Sequence, residues 1–302
     1  MQASEQNNIS VQSDRPLLIF GGPYSNLPAT LAMRRKAEAL GIEPYQTICT
    51  GDVVAYCAEP EETVTLIRDW GCHVIKGNCE ESLSTHAPDC GCGFDEGTAC
   101  DLLSKGWYSY ADSRISEASR AWMAALPSSL TLTLGGRRVR VIHGGVTETS
   151  RFIFASTPAS EKRVELDDAR ADIIIAGHCG IPFIQRIGES VWFNPGAISI
   201  PANDGTSDGW YGLIEPAEDG LRFSIERLPY DAGAAAAALR SAGSVPAYAE
   251  ALTSGLWPSL DVLPTAECEA TGRPLRIEPL HFQTKQLASQ ILAATSQLRQ
   301  PG

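Results

Sequence analysis

Apolar positions along this chain follow two rhythms. "PLLIF" at 16–20 is an unbroken apolar run, as expected of a strand buried on both faces, and "LPATLAMRRKAEALGI" spaces its apolar residues three and four apart until Gly41 stops the helix. The same order repeats. "YQTICTGDVV" reads as a second strand ending at Gly51 and Asp52, "EPEETVTLIRDWG" as a second helix, and "HVIKGN" as a third strand. Strand, helix, strand, helix, strand predicts a parallel sheet, whose ligands lie beyond the carboxyl ends of its strands.

The rhythm then changes. Thr85 to Gly106 is rich in Cys, Gly and Asp and reads as an irregular insertion, followed by a helix in "DSRISEASRAWMAALP". From "LTLTLGGRRVRVIHGG" onward the strands come at hairpin intervals: Gly135-Gly136 is a turn signal, and "DIIIAGHCG", "PFIQRIG", "SVWFNPG", "GWYGLIEP" and "LRFSIERLP" follow. This half predicts a second, mixed sheet. The expected organisation is a disordered tail at 1–15, a domain at 16–230 with its insertion at 85–106, and a helical section at 231–302 packed on the domain, opened by "DAGAAAAALRSAG".

Composition narrows the field. In 302 residues, 24 Lys and Arg stand against 36 Asp and Glu, a net charge of -12, so no general positive field draws nucleic acid or an acidic membrane surface. Nine cysteines, an odd number at irregular spacing, do not form a secreted disulfide framework. The first fifteen residues are polar, and nowhere do about 18 apolar residues run uninterrupted, so a cytoplasmic protein without a membrane span is expected. The oligomeric state is not legible.

Four predicted strand ends present metal-capable side chains flanked by glycine: Asp52 in "TGDVV", Asn78 in "KGNCE", His143 in "VIHGG" and His178 in "AGHCG". Glycine lets the chain turn sharply there, so each side chain points off the sheet edge. Any one of them is as readily a turn or a hydrogen-bonded structural residue; their ordered recurrence is the signal.

With "SNLPAT", "ICTGDVVAYCAEPEE", "VIKGNCEESL", "VRVIHGG", "IIIAGHCGIPF" and "FNPGAISIP" in this order, the chain resembles the calcineurin-like metallophosphoesterases, in particular their compact bacterial branch, over about residues 17–263. The resemblance implies an α/β four-layer αββα sandwich of two mixed sheets flanked by helices, and a dinuclear metal site that hydrolyses phosphoesters. It also marks departures. The family's first turn, Asp-x-His-Gly-Asn-Leu-Pro-Ala, here has Gly22 and Tyr24 at its ligand positions; Cys79 stands where the family has a catalytic histidine, and Gly180 where it has its last ligand histidine. Three of four ligands of the first metal are therefore replaced. All four of the second remain as Asp52, Asn78, His143 and His178, a set that suits Zn, Mn or Fe without choosing among them.

The expected function is a metal-dependent hydrolase, a phosphatase or phosphodiesterase with an altered, mononuclear centre, in which a metal-held hydroxide attacks a small phosphoester. Tyr24 and Cys79 are its candidate catalytic residues and Asn26 a candidate substrate contact. Cys90, Cys92, Cys100 and Cys179 are candidate thiolate ligands for a second metal or a cluster, with ordinary free cysteines as the alternative. The rival reading is an inactive pseudophosphatase that binds a ligand or senses metal or redox state.

Overall fold

Four consecutive residues show how the architecture arises. The computed structural model describes residues 7–12 and 14–283. In it, β2 (Leu17–Phe20) is fully buried: Leu17 and Ile19 join one apolar cluster, Leu18 and Phe20 another, as the two-residue period of a strand requires. A strand apolar on both faces must be covered on both. The first cluster is the layer between two sheets, where Leu17 and Ile19 lie with Val139, Val141, Ile173, Ile175, Val191 and Phe193. The second lies under helices and contains Met33, Val64 and Ile67. A third cluster, with Ile174, Trp192 and Leu166, covers the outer face of the other sheet.

The elements follow in chain order. A two-residue strand β1 (Asn7–Asn8) precedes β2, α1 (Leu27–Ala39), β3 (Thr47–Cys49), α2 (Pro60–Trp70), β4 (His73–Val74) and α3 (Asn78–Ser84). After a loop come α4 (Ala99–Asp112), α5 (Glu117–Ala125), β5 (Leu130–Leu134), β6 (Arg137–Val141), α6 (Ala159–Ala169) and β7 (Ile173–Ile175). Then follow β8 (Phe183–Ile187), β9 (Ser190–Asn194), β10 (Gly209–Ala217) and β11 (Gly220–Leu228), and last α7 (Ala232–Ala242), α8 (Pro246–Ser254), α9 (Thr265–Glu269) and β12 (Leu280–Gln283). One six-stranded sheet runs β1-β5-β6-β7-β9-β8, the other β12-β11-β10-β2-β3-β4. Both are mixed. The expected two-sheet α/β sandwich flanked by helices is what forms.

Three expectations need correction. The β10–β11 hairpin does not extend the sheet of the second half; β10 pairs antiparallel with β2, Gly212 opposite Ile19 and Leu213 opposite Leu18. Gly212 also lets the facing sheet pack closely, since a side chain there would collide with the Phe193 ring of β9. The segment 85–106 is not irregular throughout. Thr98 caps α4 by accepting from the Asp101 N–H (3.3 Å), and Cys100, Ser104, Trp107, Tyr108 and Ala111 form its buried face. Between Tyr230 and Gln283 the chain is not purely helical, because β12 returns to pair with β11; the rest of the expected helical section, 284–302, lies outside the described residues. Of the expected tail, residues 1–6 and 13 lie outside the described residues, and Asn7 and Asn8 pair in parallel with Leu130 and Thr131.

Topology places the chemistry. Strands β2, β3 and β4 are parallel to one another, and so are β6, β7 and β9, so the residues after Cys49, Val74, Val141 and Ile175 leave the carboxyl ends of two facing sheets. Replacing Ile19 by Ala in the inter-sheet layer is expected to cost about 2–5 kcal/mol in a denaturant titration, with the cooperativity of unfolding retained. A cost under about 0.5 kcal/mol would mean that this layer is not the core.

Candidate metal centre

The turn after β3 carries Asp52, and the turn after β4 carries Asn78 at the start of α3; His143 and His178 follow β6 and β7 of the other sheet. Two glycines allow the turns to meet. A Cβ on Gly77 would stand 2.2 Å from Asp52 Oδ1, and one on Gly51 would stand 2.9 Å from His143 Nδ1. Asp52 (φ 40) and His178 (φ 59) both hold left-handed backbone, a conformation that costs a residue with a side chain about 1–3 kcal/mol and clusters at functional sites.

His143 is the hub. Its Nδ1 lies 2.6 Å from the Thr50 carbonyl oxygen, which can only accept, so Nδ1 carries a hydrogen and Nε2 faces inward. Around Nε2 stand Asp52 Oδ2 at 3.1 Å, Asn78 Oδ1 at 3.2 Å and His178 Nδ1 at 3.2 Å. The amide of Asn78 is held in that sense because its Nδ2 donates to the Cys90 carbonyl (2.9 Å). The Phe152 ring packs on His178, centroids 4.2 Å apart. Asp52, Asn78 and His143 are each at most 4% exposed.

Electron-rich atoms in such proximity demand a positive charge among them. In the metal-free protein a proton on His143 supplies it: burial alone would lower the imidazole's pKa, but the Asp52 carboxylate outweighs burial and lifts it to about 9. The partner shift agrees in sign, since burial would raise Asp52 and His143 overrides it, holding the carboxylate below its usual range. His178 is driven down to about 3 by burial and then by His143, so it is a neutral lone-pair donor. A divalent cation fits the same place. The donor atoms of Asp52, His143 and His178 lie within 4.8 Å of one another, and one carboxylate, one amide oxygen and two imidazoles are borderline ligands for a first-row transition metal.

Comparison with known proteins now places the chain. A model of the calcineurin-like phosphoesterase superfamily domain matches residues 28–217. The chain belongs to the calcineurin-like phosphoesterase superfamily. An uncharacterized protein of Methanocaldococcus jannaschii is 25% identical over 235 residues, 71% of this chain and 88% of that protein. Two crystal structures share the fold, each aligned over 80% of this chain and 99% of its own: a hypothetical protein of Pyrococcus horikoshii (TM-score 0.68, 17% identity) and a metallophosphoesterase of Sphaerobacter thermophilus (TM-score 0.64, 19% identity). Divalent-metal binding and phosphoester hydrolysis are the coarse expectation that goes with this superfamily.

Within this superfamily frame, the remaining predicted residues separate clearly. Tyr24 (φ 45, 5% exposed) folds its ring over Gly22, and a Cβ on Gly180 would touch the Trp257 indole at 3.4 Å, so an aromatic ring stands against each of these two glycines. Between them lies a cavity of about 60 Å³ walled by Tyr24, Tyr56, Tyr248, Phe152 and Trp257 and reaching Asp52 and His178. Cys92, Cys100 and Cys179 also line it. Cys90 and Cys92 are joined as a disulfide, which in this form offers no thiolate, and Asn194 donates to the Cys179 sulfur (3.2 Å). Cys79 is 1% exposed and lies behind the ligands; burial, then Asp52 and Glu80, push its thiol pKa well up. Asn26 has a different task from the expected substrate contact. Its Oδ1 caps α1 by accepting from Ala29 N (3.1 Å), its Nδ2 donates to the Ser199 carbonyl (3.1 Å), and it is fully buried.

Glu80 and, apart from Tyr24, the aromatic residues of the cavity wall are not among the residues expected from the sequence. Glu80, fully buried, accepts from the N–H groups of Gly77 (2.9 Å) and Val53 (2.8 Å), tying the turn that bears Asp52 to the one that bears Asn78. Its place three residues after Gly77, at the start of a helix, is the spacing of a capping glutamate and was the available signal. Burial, then Asp52, raise its pKa to about 7.

Two outcomes follow from this geometry. His178→Ala is expected to lower metal content after reconstitution to below about a tenth of an equivalent, a loss of at least tenfold in affinity measured by elemental analysis; undiminished occupancy would remove His178 from the ligand set. Because the metal must displace the His143 proton, apparent affinity should rise about tenfold per pH unit between 7 and 9 in a competitive chelator titration. Over the same interval the metal-free protein should lose stability: a raised histidine pKa stabilises fully below about 6.5 and ceases to do so as pH passes about 9. A pH-independent affinity would contradict the protonation assigned to His143.

Proposed function

We propose that this chain is a phosphoester hydrolase working with one divalent ion held by Asp52, Asn78, His143 and His178. The observation that carries the reading is the convergence of Asp52, Asn78 and His178 on His143 Nε2, all within 3.2 Å. When bound, such an ion acidifies a water and polarises a phosphoryl oxygen. The chain's own residues do the rest. The Thr50 carbonyl fixes the His143 tautomer, and the Cys90 carbonyl turns the Asn78 oxygen inward.

The cavity beside the ligands supplies the substrate contacts in this reading. The hydroxyls of Tyr24, Tyr56 and Tyr248 form no hydrogen bond with protein among the described residues, and burial raises the pKa of each, so all three remain protonated donors. Tyr24, packed edge-on against Tyr56 with centroids 4.8 Å apart, donates to the phosphoryl group where the family would place a second cation. At about 60 Å³ the space holds a tetrahedral oxyanion or a few waters but not a benzene ring, which occupies a cavity of about 150 Å³. The leaving group therefore projects outward. Cys79, a protonated thiol behind the ligands, fills space in this reading rather than moving a proton.

A specific observation favours the rival, a ligand-binding protein without turnover. Residues of the C-terminal section, Tyr248, Trp257 and Val262, wall the cavity and narrow it. Turnover separates the two readings. Metal-reconstituted protein is expected to hydrolyse aryl phosphomonoesters or diesters, and Tyr24→Phe to lower kcat about 10²-fold, the scale of one lost oxyanion donor, with metal content unchanged. Full metal occupancy without turnover of either ester class would assign the chain to the binding reading.

A further inference from the structure

Strand β6 carries a second, separate oddity. Arg140 is 9% exposed and projects from the face of the sheet opposite Val139 and Val141. Its Nη1 donates to Thr131 Oγ1 (2.9 Å) and its buried Nε has no partner; among the described residues no carboxylate lies within ion-pair distance of it. Arg137, on the same strand, shows the usual remedy, with Asp172 at 3.7 Å and the Gln283 carbonyl at 2.8 Å. A guanidinium cannot shed its proton, so its burial without a counter-charge is costly unless an anion or solvent reaches it.

A polar pocket reaches it. About 200 Å³ in volume, it is lined by Arg140 together with Ser128, Ser129, Thr147 and Thr149, abuts His143, and shares no wall residue with the aromatic cavity. Ser129 is buried and Ser128 and Thr147 are exposed, and the hydroxyls of all three make no hydrogen bond to protein among the described residues. Two carboxylates border this wall and are already hydrogen-bonded: Glu81 accepts from Thr149 Oγ1 (3.1 Å), and Glu165 accepts from Val146 N (2.6 Å) and pairs with Arg151 (2.5 Å).

We propose that Arg140, Ser128, Ser129 and Thr147 form a binding site for a tetrahedral oxyanion, inorganic phosphate or the phosphate group of a small molecule, separate from the aromatic cavity although His143 forms part of its wall. A planar guanidinium and several hydroxyl donors match the fork geometry that arginine offers to phosphate oxygens, and the space of about 200 Å³ leaves room for a phosphate with waters or a small attached group. The site stands whether or not the metal centre is active.

The test is isothermal titration of chelator-treated full-length protein, first with inorganic phosphate and then with glycerol phosphate. One phosphate per chain is expected, weakened about tenfold or more by Arg140→Gln and by the Ser129→Ala, Thr147→Val double variant, with folding checked by circular dichroism. Tighter binding of glycerol phosphate would identify an organic phosphate as the ligand; equal or weaker binding would identify the free anion. No binding of either up to about 10 mM, or full affinity in both variants, would overturn the proposal.

Discussion

Everything at the carboxyl edge of this fold depends on one electrostatic constraint: a carboxylate, an amide oxygen and two imidazole nitrogens brought together in a dry place need a positive charge among them. Burial strips away the water that would otherwise screen the lone pairs. Asp52 Oδ2, Asn78 Oδ1 and His178 Nδ1 all face His143 Nε2. Either a proton or a cation must occupy the space between them, and competition between the two links metal binding to pH.

The rest of the fold holds those atoms against their repulsion. Asp52 and Asn78 come from one sheet and His143 and His178 from the other, so the apolar layer that packs the sheets together also closes the ligand set. Glu80 binds the two turns of the first sheet, and the His143 hydrogen bond to Thr50 crosses between sheets. The cysteine loop contributes through its backbone. By accepting from Asn78 Nδ2, the Cys90 carbonyl decides which end of that amide faces His143.

Much of this was legible along the chain, because short apolar strands and three-four spaced helices are local patterns. The Gly135-Gly136 hairpin formed as read, both glycines having positive φ. Sheet membership was not legible: β10 and β11 show the same alternation whichever sheet they join, and only contact with β2 across nearly two hundred residues settles it. The helical part of the cysteine-rich segment was hidden because the first turns of α4 bury only Cys100 and Ser104, too small or polar to mark an apolar stripe, while the large buried residues Trp107 and Tyr108 come after Gly106. At the site, glycine-flanked strand ends identified the residues that converge. Asn26, expected as a substrate contact, has both ends of its amide engaged, its oxygen as the cap of α1 and its nitrogen on the Ser199 carbonyl. The aromatic wall was invisible, since Tyr56, Tyr248 and Trp257 are distant in sequence and meet only in the fold.

In the proposed centre nitrogen and oxygen, not sulfur, hold the ion, although cysteines stand close by. X-ray absorption spectroscopy of protein reconstituted with one equivalent of zinc reads this directly. A first shell of nitrogen and oxygen near about 2.0–2.2 Å, with the multiple-scattering signature of two imidazoles, is the predicted result. A sulfur shell near about 2.3 Å would contradict it and move the centre to the cysteines.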